Sequence, residues 1–159
     1  MKSVVFYASR KGNTRLVAEA IADGLRAGGS TQVLSVEDGA ASIDDGTDLI
    51  VVGGPTEGHG MTEAVVRFLD RISSNAAIPA AAAFDTRVHW PRLLSGAAAE
   101  GIAQRLRGMG ARLVAPPESF IVSMKPELLP GELERARSWG ASLGDHVQAE
   151  FVTTSTAAG

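Results

Sequence analysis

Short apolar runs rich in β-branched residues alternate along this chain with segments whose apolar residues return every three or four positions. That alternation constrains the fold more than any other feature. Strands separated by helices can bury both faces only as a parallel sheet joined by right-handed crossovers. Residues 3–8, 31–36 and 49–52 read as the first three strands. A fourth lies at 80–84, where alanine is a poor strand former but the alternation asks for one. A fifth is split into 113–114 and 120–122 by Pro116 and Pro117. Helical spacing groups Leu16, Val17, Ala20, Ile21, Gly24 and Leu25 into one helix, and Val65, Phe68, Leu69 and Ile72 into a second that Thr62 opens. A third begins at Ser95 or Gly96 and aligns Ala98, Ile102, Leu106 and Met109. The last, started by Pro130, aligns Leu133, Ala136, Trp139, Leu143 and Val147. The expected fold is one doubly wound α/β domain over residues 1–150, with a flexible tail at 151–159.

Composition then removes whole classes of function. With no cysteine among 159 residues, disulfides, thiolate metal sites and cysteine nucleophiles are excluded. A net charge of −3 gives no basic field for nucleic acid. The longest apolar stretch, 76–84, is too short to span a bilayer and contains Pro79. No apolar run at the amino terminus leads to a small-residue cleavage site, so a cytoplasmic location is expected. The three histidines, His59, His89 and His146, have no acidic neighbours at metal-ligand spacing, so no metal is expected.

Sheets of this kind bind ligands beyond the carboxyl ends of their strands, which directs attention to three loops. The first is Ser9-Arg10-Lys11-Gly12-Asn13-Thr14, between a buried strand and a helix N-terminus. Free N–H groups, the positive end of the helix dipole, hydroxyls at either end and a lysine suit a phosphate. Gly12 permits close backbone approach. A plain turn capped by Asn13 or Thr14 is the bland alternative. The second is the glycine-rich Pro55-Thr56-Glu57-Gly58-His59-Gly60, following Gly53 and Gly54. The third runs from Phe84 through Asp85, Thr86, Arg87, Val88, His89 and Trp90 to Arg92, and puts a tryptophan in a loop.

The string from Tyr7 to Thr14 resembles the phosphate loop of flavodoxins, in which a hydroxyl residue, any residue, a hydroxyl residue, glycine, any residue and threonine follow the first strand. The resemblance covers about residues 2–146, in the short-chain form. It implies a five-stranded parallel sheet in the order 2-1-3-4-5 and non-covalently bound FMN acting in electron transfer. It implies that Ser9, Arg10, Lys11, Gly12, Asn13 and Thr14 hold the phosphate. Pro55, Thr56, Glu57, Gly58, His59 and Gly60 would line one face of the ring, where a peptide can turn over on reduction. Thr86, Arg87, His89 and Trp90 would line the other. No discrete catalytic residue is implied.

The chain departs from the pattern at Lys11, where a hydroxyl residue is usual, and at Asp85-Thr86-Arg87, where flavodoxins have glycine. These departures keep open a flavodoxin-fold interaction module that has lost FMN. A rim counted as Arg10, Lys11, Arg87 and Arg92 against Glu57 and Asp85 would raise the flavin potential. It would also suit NAD(P)H, leaving an NAD(P)H-dependent FMN or quinone reductase as a further alternative. The expected partner is a redox protein or NAD(P)H, with neither nucleic acid nor membrane.

Overall fold

The computed structural model describes residues 1–74, 78, 80–90 and 97–157. Its elements are β1 (Lys2–Tyr7), α1 (Asn13–Leu25), a 3-10 turn (Arg26–Gly28), β2 (Ser30–Ser35), β3 (Leu49–Pro55), α2 (Glu63–Ile72), β4 (Ala80–Val88), α3 (Ala98–Gly108), β5 (Arg112–Leu113), β6 (Glu118–Val122) and α4 (Glu132–Ala157). The strands are parallel in the order β2-β1-β3-β4-β5, with β6 pairing with β4 beyond β5. The fifth strand is thus two pieces on one edge of β4, as the Pro116-Pro117 break implies.

Both faces of the sheet are buried, because successive strand residues point to opposite sides. Val4, Phe6, Ile50 and Val52 pack with Phe68 and Leu69 of α2 and Ile102 and Leu106 of α3. Val5, Leu49, Val51 and Phe84 pack with Ile21 of α1 and Leu143 of α4. Trp139 belongs to this second core, edge-on to Phe120 with ring centres 6.1 Å apart.

The stripe on α1 is shifted from its sequence expectation. Leu16 is exposed, as is Leu133 of α4, while Ala18 and Ala22 are buried. The cause is a backbone-to-backbone crossing of the two helices. A Cβ on Gly24 would collide with the Arg137 carbonyl, and one on Gly140 with the Ile21 carbonyl. Small residues therefore form this interface and leucines flank it.

Other boundaries move for reasons of pairing. β4 runs four residues past 84 because β6 pairs with Phe84, Asp85, Thr86, Arg87 and Val88. Pro130 precedes α4, whose first turn is closed by the Arg135 N–H donating to the carbonyl of Gly131, a residue at φ 85°. The same helix continues through Ala157, into the stretch expected to be a tail. Ser95 and Gly96, the expected start of the third helix, lie outside the described residues, as does Arg92. Among the described residues no helix is long and apolar enough to cross a membrane.

Candidate functional site

The loops that leave β1, β3, β4 and β6 at their carboxyl ends enclose a cleft of about 570 Å³, within the usual range for small-ligand sites. From the first loop it gathers Ser9, Arg10, Lys11, Asn13 and Thr14. From the second come Pro55, Thr56, Glu57, Gly58 and His59, and from the third Thr86, Arg87, Val88 and Trp90. Gly12, Gly60 and His89 do not line it.

Gly12 shapes the first loop. It precedes α1 in the left-handed conformation at φ 87°, and no side chain caps the helix. A Cβ added there would meet nothing within 4 Å, so the space over the loop is open. The Gly12 N–H donates to Ser9 Oγ at 3.1 Å. Asn13 is the first helical residue rather than a cap, and its amide donates to the Pro126 carbonyl at 2.7 Å. Thr14 is buried, and its hydroxyl is hydrogen-bonded to that of Thr86 at 2.8 Å. It forms part of the cleft floor.

The second loop is a tight hairpin. Glu57 and Gly60 exchange backbone hydrogen bonds of 3.0 and 2.9 Å around Gly58 at φ 52° and His59 at φ 73°. Positive φ at both central residues marks the turn that joins two closely paired strands. His59 is the one non-glycine residue with positive φ among those described. Arg10 Nε lies 3.2 Å from the Glu57 carboxylate, so an ion pair joins the first two loops across the mouth.

In the third loop, the Trp90 N–H donates to Val88 O at 2.8 Å, and Arg87 Nη1 donates to Trp90 O at 2.9 Å. Trp90 is 51% exposed. Asp85, counted on the rim from sequence, is fully buried and does not line the cleft. Its Oδ2 accepts from Thr56 Oγ1 at 3.1 Å and from the Ala99 N–H at 2.9 Å, while Oδ1 is buried without a hydrogen bond. Burial pushes this carboxyl above the ordinary aspartate range; the Ala99 N–H, the Ser119 and Thr56 hydroxyls and the charge of Arg87 oppose it without cancelling it. With Asp85 off the rim, Glu57 is the acid left from that count among the described residues; it pairs with Arg10, while Arg87 Nη1 donates to the Trp90 carbonyl.

Sequence reasoning missed the fourth wall. Val122, Ser123, Met124 and Pro126, after β6, also line the cleft. The Ser123 N–H donates to Glu127 O, and Val122 bridges Leu128, folding the segment back on itself. Met124 is 75% exposed at the mouth. The available signal was positional, since this loop too follows the carboxyl end of a strand.

The family model for flavodoxin matches residues 5–139. No curated protein sequence matches the chain. Among solved structures, a flavodoxin from the domain Archaea is 26% identical with a TM-score of 0.76, over 93% of this chain and 99% of that one. The oxidised flavodoxin 2 of Bacillus cereus is 23% identical with a TM-score of 0.72, over 94% and 99%. The rubredoxin oxygen:oxidoreductase of Desulfovibrio gigas is 22% identical with a TM-score of 0.72, over 94% of this chain but 37% of that one.

Proposed function

The chain belongs to the flavodoxin family, and from that premise we propose how its own residues hold FMN for electron transfer. FMN is the cofactor of this family, and flavodoxins pass electrons to partner proteins. The family match favours this reading over a flavin-free interaction module and over an NAD(P)H-dependent reductase.

The cleft fits the cofactor. At its phosphate end, the uncapped N-terminus of α1 offers backbone N–H groups beside Ser9, Lys11 and Asn13, under the open space above Gly12. Lys11 brings a formal charge where a hydroxyl donor is usual, so a charge-assisted contact replaces a neutral one. The Pro55–Thr56 segment, the turn at Gly58 and His59, and Trp90 line the same cleft, which supports reading the hairpin and Trp90 as the two walls of the ring. Thr14 and Thr86 support the floor from below. Gly12 and Gly60 act through backbone shape, and no contact to FMN is assigned to His89. Bound FMN supplies the electron-transfer chemistry, while the chain anchors, orients and shields it.

The observation that carries this reading is the convergence of the first loop, the hairpin and Trp90 on one cleft. Incubating the purified protein with excess FMN, desalting it and recording a visible spectrum tests it. Retained flavin absorbance with quenched fluorescence is the expected outcome, and a colourless protein overturns it. The partner is read as a redox protein that approaches the exposed Trp90 and Met124 edge, in the cytoplasm, without nucleic acid or membrane.

A further inference from the structure

Asp85 stands out because nothing in ordinary FMN binding asks for a carboxylate there. The side chain is fully buried and takes the place of the glycine that the flavodoxin resemblance leads one to expect. The hydrogen bonds around it run through the whole site. Asp85 Oδ2 accepts from the Thr56 hydroxyl, whose oxygen in turn accepts from the Ala98 N–H at 2.9 Å. The Thr56 N–H donates to the Thr86 carbonyl at 2.9 Å, and the Thr86 hydroxyl meets that of Thr14. Three cleft residues, Thr14 of α1, Thr56 of the second loop and Thr86 of β4, are thus tied in series, and Asp85 anchors one end to the start of α3.

The N-terminus of α3 has no local cap: Ala97 occupies the cap position, and the Ala98 and Ala99 N–H groups are satisfied by Thr56 and Asp85. One carboxylate therefore holds a helix end and the flavin-facing loop together. Its second oxygen is buried without a hydrogen bond.

We propose that Asp85 is a positioning residue for FMN that acts through Thr56, and that proton occupancy at its buried carboxyl is coupled to FMN affinity. This rests on the FMN reading above. The ionised carboxylate makes charge-assisted hydrogen bonds to Thr56 and Ala99, stronger than those of the neutral acid. Acid therefore loosens the second loop from α3 and weakens FMN binding. The groups that face the carboxyl are Gly54 on β3, Ser119 on β6, Ala98 and Ala99 on α3, Thr56 on the second loop and Arg87 on its own strand. Of these only Arg87 carries a charge, and burial opposes it by disfavouring ionisation.

The test compares the wild type with Asp85→Asn, which keeps the shape and removes the ionisable carboxyl. FMN affinity is measured by fluorescence quenching from pH 5 to pH 9, and the backbone amides of Thr56, Ala98 and Ala99 are followed by NMR in the flavin-free protein over the same range. FMN's own phosphate ionises near pH 6, so the quantity read is the difference between the two profiles. The wild type is expected to lose roughly five- to tenfold more affinity in acid than Asp85→Asn. The three amides should shift together in the wild type and not in the variant. Parallel affinity profiles overturn the coupling, even if the variant has a lower melting temperature, since a purely structural cap predicts that result. Amides that do not titrate together overturn it as well. If the amides titrate but no FMN binds to the wild type, the FMN reading fails, and with it the affinity claim. Asp85→Ala, which strands Thr56 and Ala99, serves as a folding control.

Discussion

Thr14 and Thr86 meet hydroxyl to hydroxyl at 2.8 Å beneath the cleft, 72 positions apart in the chain. The contact is buried and joins the first turn of α1 to the end of β4. Thr86→Val should leave the Thr14 hydroxyl unsatisfied and cost about 1–3 kcal/mol. Changing both residues to valine removes both polar groups at nearly constant shape, so most of that loss should return. Urea unfolding of the two single variants and the double variant reads the coupling. Additive losses would show that the hydroxyls do not depend on one another.

Trp90 is half exposed, so little of the fold rests on its ring. Trp90→Ala should leave the melting temperature nearly unchanged while weakening FMN by about tenfold, the scale of one lost stacking contact. Flavin fluorescence in the variant should be less quenched. An unchanged dissociation constant would place the ring elsewhere in the cleft.

Gly12 separates backbone strain from site shape. At φ 87° an alanine is strained by about 1–2 kcal/mol, yet its methyl group meets no atom. Gly12→Ala should therefore fold with a modest drop in stability. FMN affinity should fall further than that drop explains, because the methyl group enters the space left for the phosphate. Calorimetric melting beside an FMN titration checks both parts.

Glu132 ties the start of α4 to the sheet. It accepts from the Ile121 N–H at 2.7 Å and from Arg135 Nη2 at 2.8 Å. Burial works to raise its pKa, but the Arg135 and Ile121 hydrogen bonds and the Arg135 charge outweigh it, and the carboxyl sits below the ordinary glutamate range. A lowered folded value means that the stabilisation is present above the unfolded pKa of about 4.3 and is lost as pH falls through the folded one. Glu132→Gln should thus cost about 1–2 kcal/mol at pH 7, discounted for the partly exposed Arg135. Measured by denaturant titration, the gap to the wild type should close in acid.

Much of the site was legible because loops at strand ends advertise themselves. Glycines and hydroxyls between a strand and a helix marked the first loop, and the family resemblance supplied its ligand. The fourth wall carried no such mark. Ser123, Met124 and Pro126 are ordinary loop residues, brought to the cleft only because β6 pairs with β4 and ends beside the first loop. Asp85 was misplaced on the rim for a related reason. A charged residue after an apolar run looks like the end of a strand, and only the Thr56 hydroxyl and the Ala99 N–H, from elsewhere in the chain, let it lie buried.

Local periodicity and turn chemistry were enough to set the alternation of strands and helices, the double-faced core and the position of the phosphate loop. Which side chains line the cleft, which of its charges are matched and how closely α1 and α4 approach were settled by long-range contacts. Those depend on partners distant in sequence: Arg10 on Glu57, Asp85 on the first turn of α3, Gly24 on the backbone of Arg137. Local propensity reports the conformation a residue favours. What it touches is set only when the chain has closed on itself.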